Sequence, residues 1–76
     1  MKVAVDLGDG VKREVEVHHT IIVANGKPKE IYRSTIITCL GKPCYIVFDP
    51  ATGEVEVHIL EKTGRGWVTK EVKKVA

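Results

Sequence analysis

The stretch CYIVFDPATGEVEVHI, residues 44–59, consists of two alternating runs separated by a cluster of turn residues. Side chains on a strand point alternately to opposite faces. With Pro50–Gly53 as a four-residue loop, Phe48 stands opposite Val55, Ile46 opposite Val57 and Cys44 opposite Ile59. All six are apolar and share one face, so the segment predicts an antiparallel hairpin with one face committed to a core.

The neighbouring turns extend that face. A two-residue Gly41-Lys42 turn places Ile37 opposite Ile46 and Cys39 opposite Cys44. Near the start, a three-residue loop at Gly8–Gly10, with Gly10 left-handed, pairs Val3 with Val15 and Val5 with Arg13. The other face of that hairpin then carries two pairs of opposite charge, Asp6 with Lys12 and Lys2 with Glu16. Turn signals recur at 25–26 and 64–66, with β-branched runs between them and no long amphipathic helical pattern.

One segment breaks the agreement. An Asn25-Gly26 turn, the strongest short hairpin signal, sets Thr20 opposite Ile31 but His18 opposite Arg33 and Glu16 opposite Thr35. A shift of one residue sets Val15 opposite Ile37, Val17 opposite Thr35 and Ile21 opposite Ile31. The two registers are reconciled by a β-bulge within residues 18–20, with Val15 and Val17 inward before it. The final run, WVTKEVKKVA, carries valines at helical spacing (Val68, Val72, Val75) and also fits an edge strand guarded by Lys and Glu. The strand is the reading taken here. The expected fold is one all-β domain over residues 1–76, a six-stranded antiparallel meander curled into a small SH3-like or OB-like barrel.

Ile22, Tyr32, Ile36, Tyr45, Val47 and Leu60 point away from the main core in this arrangement. Curled strands can bury both faces; alternatively, the second face binds a partner. On the second reading, Tyr32, Arg33, Tyr45 and His58 are the candidate protein-binding residues. Cys39 and Cys44 are either two small core side chains or, under oxidising conditions, a disulfide. The absence of a secretion signal favours the thiols.

Composition narrows the function classes. Net charge is +2, from 12 basic and 10 acidic residues, which is low for a dedicated nucleic-acid binder. No apolar run approaches the ~20 residues that span a bilayer. The opening MKVAVDLGDG puts a turn where a signal peptide has its apolar centre. A cytoplasmic setting, or that of a recombinantly made protein, is expected. His18, His19 and His58 lack metal-ligand spacing, because adjacent strand residues diverge. Cys39 with a histidine could be written as a dyad, but a small barrel offers little concavity for substrate. Ser34 lacks a Gly-x-Ser-x-Gly setting, and no loop carries a phosphate-binding pattern. The expectation is a non-enzymatic module with no cofactor, no metal, no small-molecule substrate and no membrane association. Its partner would be another protein or a second copy of the chain.

The chain has no Gln, a single Asn placed in a turn, Val and Ile in the strands, and Lys and Glu on the surface. Such agreement between local choices and global plan suits a designed scaffold, and a hyperthermophile protein shares it. KTGRGWV (62–68), the opening KVAVDLGDGVKREVEV and FDPATGEV (48–55) resemble turns of the archaeal seven-kilodalton chromatin proteins and their relatives. Those are small SH3-like barrels that bind duplex DNA. The resemblance covers a handful of turn residues and lacks that family's aromatic and Met wedge. It implies the barrel and, as the alternative function, nucleic-acid binding through Lys62, Arg65, Trp67, Lys70 and Lys73.

Overall fold

A computed structural model describes residues 1–75. Among them the chain forms eight strands and no helix: β1 (Lys2–Asp6), β2 (Lys12–Glu16), β3 (His18–Ala24), β4 (Lys27–Arg33), β5 (Ile37–Cys39), β6 (Lys42–Phe48), β7 (Val55–Thr63) and β8 (Gly66–Val75). All pairings are antiparallel. β1 and β2 make a two-stranded sheet, and the other six make a second, ordered β3-β4-β6-β7-β8 with β5 beside β6. The final segment is thus a strand.

Two hairpins have the registers expected from the sequence. β6 pairs with β7 as Cys44–Ile59, Ile46–Val57 and Phe48–Val55. β1 pairs with β2 as Val3–Val15 and Asp6–Lys12. Their apolar faces meet: Val5 packs with Cys39, Cys44, Ile46, Val55, Val57 and Ile59 in one buried cluster. This burial is the main stabilising term for so small a domain.

Five expectations require correction. The strands number eight, not six, because two long strands each divide. The first division is at Val17. β2 pairs only with β1, β3 pairs only with β4, and Val17 between them is fully buried, its N–H donating to the Met1 carbonyl. The ladder from His18 to Ala24 is regular, so there is no bulge within residues 18–20. The change of sidedness falls one residue earlier, where one strand leaves one sheet and enters the other. Val17 remains inward and Val15 half-buried against the core, but neither pairs with β5.

The second division is at Ser34. Its N–H donates to the Ile46 carbonyl at 2.9 Å. Its hydroxyl, not its carbonyl, accepts the Ile46 N–H at 2.8 Å. With that acceptor supplied by a side chain, the backbone is free to leave the β4–β6 ladder and turn towards β5.

The third correction is a register. The β5–β6 turn is Leu40-Gly41, both with positive φ (51° and 83°). This type I′ geometry places Ile37 opposite Cys44 and Cys39 opposite Lys42. Cys39 and Cys44 therefore lie diagonally across the hairpin, 5.8 Å apart at Cα, and they form a disulfide. Fourth, free thiols, the reading favoured above, are replaced by that bond.

The fifth correction concerns closure, since the strands do not complete a barrel. β1 and β8 share no ladder. A cavity of about 210 Å³, lined by Leu7, Leu40, Val57, Lys73 and Val75 among others, opens between the two sheets there.

Candidate functional site

The larger sheet uses both faces. Arg33 pairs with Val47, Tyr45 with His58, and His58 with Val72, so all of these stand on the face turned away from Val5. There the Tyr45 ring lies between two partners. The His58 ring stacks on it with centroids 4.7 Å apart and an 18° tilt. The Arg33 guanidinium carbon sits 5.6 Å from the ring centroid, within cation–π range. His58 Nε2 is buried without a hydrogen-bond partner among the described residues, and the Glu56 carboxylate is 3.5 Å away.

A bulge brings Trp67 to this face. β8 matches Glu71 to Ile59 but Thr69 to Leu60, leaving Lys70 as the extra residue. In an unbroken ladder, Lys62 would oppose Val68. With the bulge it opposes Trp67, and Trp67, Thr69 and Leu60 share a face. The same irregularity accounts for the burial of two consecutive residues, Ile59 and Leu60, on opposite sides of the sheet. Arg33, Ile36, Tyr45, Leu60, Trp67 and Thr69 line most of an open groove of about 330 Å³. Leu60 forms its buried floor, and Trp67, 48% exposed, is one wall.

Charge is distributed unevenly along this face. At one end Lys29 pairs with Asp49 at 2.8 Å, and Lys74 with Glu54 at 3.6 Å. The Lys29 ammonium, helped by the Ala51 N–H, holds the Asp49 carboxyl below its ordinary range. At the Trp67 end, Lys62 Nζ lies 6.0 Å from the indole centroid. Among the described residues Arg33, Lys62 and Arg65 form no ion pair with a carboxylate.

The two residue sets expected from the sequence are therefore redistributed. Arg33, Tyr45 and His58 come together. Tyr32 does not join them, because it pairs with Phe48 on the core-side face and meets the His19 ring edge-on at 5.5 Å. From the nucleic-acid set, Lys62 and Trp67 reach the groove face, and Arg65 occupies the Gly64-Arg65 turn beside it. Lys70 is the bulged residue, and Lys73 pairs with Val57 on the other face, 3.7 Å from Glu71. Leu60, Ile36 and Thr69 complete the groove without having been candidates. The doubled burial at Ile59-Leu60 depends on a bulge in the partner strand, which leaves no mark in β7 itself.

Comparison with protein-family models, curated proteins and solved structures finds no match to this chain.

Proposed function

We propose that the protein is a non-enzymatic binding module, built on an idealised open β-scaffold, that engages an acidic protein segment with the groove between Tyr45 and Trp67. One observation carries this reading: an apolar floor and an exposed indole are joined by Arg33 in the lining, Lys62 over the indole and Arg65 in the adjoining turn, none paired with a carboxylate among the described residues. Aromatic and Arg side chains around a desolvated centre are the composition of interface anchors. Arg33 is positioned by Tyr45, and Tyr45 by His58, so little side-chain freedom remains to be lost on binding.

The same cations and Trp67 support nucleic-acid binding as a second reading. Base stacking needs open aromatic faces. Tyr45 is covered by Arg33 on one side and stacked with His58, which leaves Trp67, with Lys62 near its ring, as the one aromatic of the groove lining open to a base. That favours the peptide.

The test is an amide-chemical-shift titration at low salt. One arm uses a blocked peptide of glutamates flanking a leucine, and the other a short oligothymidylate. Shifts at Ile36, Leu60 and the Trp67 indole with the peptide, reduced at least tenfold in affinity by Arg33→Ala, support the module. Shifts only with the oligonucleotide, falling steeply with added salt, favour the second reading. Silence in both arms removes the groove as a binding site.

A further inference from the structure

The two edges of the six-stranded sheet are finished differently. β8, at one end of the order, carries the bulge at Lys70 and the charges Glu71, Lys73 and Lys74. These are devices that block edge-to-edge pairing. β3, at the other end, reads HHTIIVA, with no Asp, Glu, Lys, Arg, Pro or Gly. Ile21 is 60% exposed and Val23 76% exposed. β4 pairs with β6 only at Tyr32 and Arg33, so most of the β3–β4 hairpin extends past the sheet as a two-stranded arm. Two strands alone are marginal in water.

The hydrogen-bond phase of the arm follows from its turn. In a two-residue hairpin the flanking pair, here Ala24–Lys27, exchanges both backbone bonds, and such pairs alternate along the ladder. Ala24, Ile22, Thr20 and His18 therefore bond inward to β4. The N–H and C=O groups of His19, Ile21 and Val23 point outward. Among the described residues no backbone group of β3 bonds to any segment other than β4. The free stretch has a definite end, because the next outward N–H, that of Val17, is taken by the Met1 carbonyl.

We infer that β3 is a dimerisation edge, and that its occupant is β3 of a second copy, paired antiparallel about a two-fold axis at Ile21. This register sets Ile21 against Ile21 of the second copy and His19 against its Val23. All three outward-pointing residues become hydrogen-bonded pairs, two bonds to a pair. A centre at Thr20 or Ile22 would strand one residue of the three. Ile21 on one face and Ile22 against Thr20 on the other bury apolar surface. No two charged residues face each other, and the pairing stops at His18 without reaching Met1. An isologous contact of this kind closes as a dimer. A seven-residue strand at ~3.4 Å per residue spans about 24 Å, a small interface whose association is weak and concentration-dependent. The inference is independent of the groove.

The test is light scattering behind size-exclusion of the full chain, loaded from micromolar to millimolar concentration. The mean mass should rise from one chain towards two. Ile21→Lys sets two ammonium groups opposite each other and should hold the mass at one chain throughout. Ile21→Cys should cross-link on mild oxidation, because hydrogen-bonded antiparallel pairs lie ~5.5 Å apart at Cα, within disulfide reach. The matching variant on the guarded edge, Val72→Cys, should not. A wild-type mass of one chain at every concentration, a dimer that survives Ile21→Lys, or cross-linking at position 72 in place of 21 would overturn the inference.

Discussion

Ser34→Ala tests whether a single hydroxyl holds the junction at which β4 leaves the sheet. Ser34 is buried, and its oxygen accepts the Ile46 N–H at 2.8 Å while donating to the Thr35 carbonyl at 2.8 Å. Ile46 is fully buried, so no water can replace the lost acceptor. A buried donor left unpaired costs about 1–3 kcal/mol. The alanine methyl recovers little of this, since the change in apolar area is small. A domain of this size has a total stability of roughly 4–11 kcal/mol, scaling ~0.05–0.15 kcal/mol per residue. A loss of about 2 kcal/mol is thus a large fraction. With a urea slope of about 1 kcal/mol/M for a small domain, the unfolding midpoint should fall by about 2 M. Ser34→Thr keeps the oxygen and should restore most of the loss. Amide exchange gives the specific signature. The Ile46 N–H should lose protection in Ser34→Ala, while the Val47 N–H, which faces β7, should change only with global stability. A midpoint shift below about 0.5 M, or Ile46 and Val47 protected equally in the variant, would refute the reasoning. The Ser34 carbonyl would then be the acceptor, and the break would need another cause.

Other consequences can be measured directly. The oxidised chain should contain no free thiol, and reduction should expose two; closing a loop with a sequence separation of 5 corresponds to about 2 kcal/mol in the chain-entropy account, read as a lower denaturation midpoint in reductant. Leu40 holds φ 51° at the first centre of a type I′ turn, so Leu40→Asn should stabilise by ~0.5–1 kcal/mol and raise the melting temperature by several degrees. Asp9 is held at about 2 by the Arg13 guanidinium and the Val11 N–H, and Glu16 and Asp49 are lowered by the N-terminal ammonium and Lys29. Because the folded values lie below the unfolded ones, this stability is complete only above about pH 5, clear of the unfolded Asp and Glu values, and is lost as pH falls through the depressed values. A carboxyl-carbon titration should show Asp9 returning to its ordinary value in Arg13→Ala.

The hairpin registers of β1–β2 and β6–β7 were legible because every pair tests the others: one slipped residue would turn Ile46, Val57 and Cys44 outward together. The all-β class followed from the same alternation. The β5–β6 turn was misplaced by one residue because leucine is a poor left-handed residue, so Gly41-Lys42 read as the better pair. Cys39 moved with it, yet a diagonal placement served a disulfide as well as a direct one. The break at Val17 shows in the sequence as a clash of registers, and the doubled histidines are its most visible irregularity. The clash shows only that sidedness changes between Val17 and Thr20; which residue absorbs it depends on the Met1 carbonyl. An unbroken register sets Tyr32 outward, whereas the register in the fold puts Tyr32 opposite Phe48 and its neighbour Arg33 on the other face opposite Val47.

Each departure from regular alternation also places a component of the candidate surfaces. The switch at Val17 ends the β1–β2 ladder at Met1, and so leaves the outward groups of β3 uncovered. The hydroxyl at Ser34 releases the chain towards β5 and sets Ile36 at the groove margin. The extra residue at Lys70 turns Trp67 to the side of Leu60 and Tyr45. Regular hairpins supply the buried cluster around Val5 and Ile46, where a two-residue periodicity is sufficient. A sheet in which one face were buried and the other uniformly polar would have no groove. This one gains it because Leu60, next to Ile59 and so on the opposite face, is buried there, and the bulge in β8 turns Trp67 to the same face. It follows that deleting Lys70 should remove one cation and leave the groove in place. Thr69 would still oppose Leu60 and Glu71 Ile59, so the ladder would become regular with Trp67 still opposite Lys62 on the Leu60 face. A nuclear Overhauser contact between the Trp67 indole and the Leu60 methyls, present in the parent and lost on deletion of Lys70, would contradict that account of how the site is built.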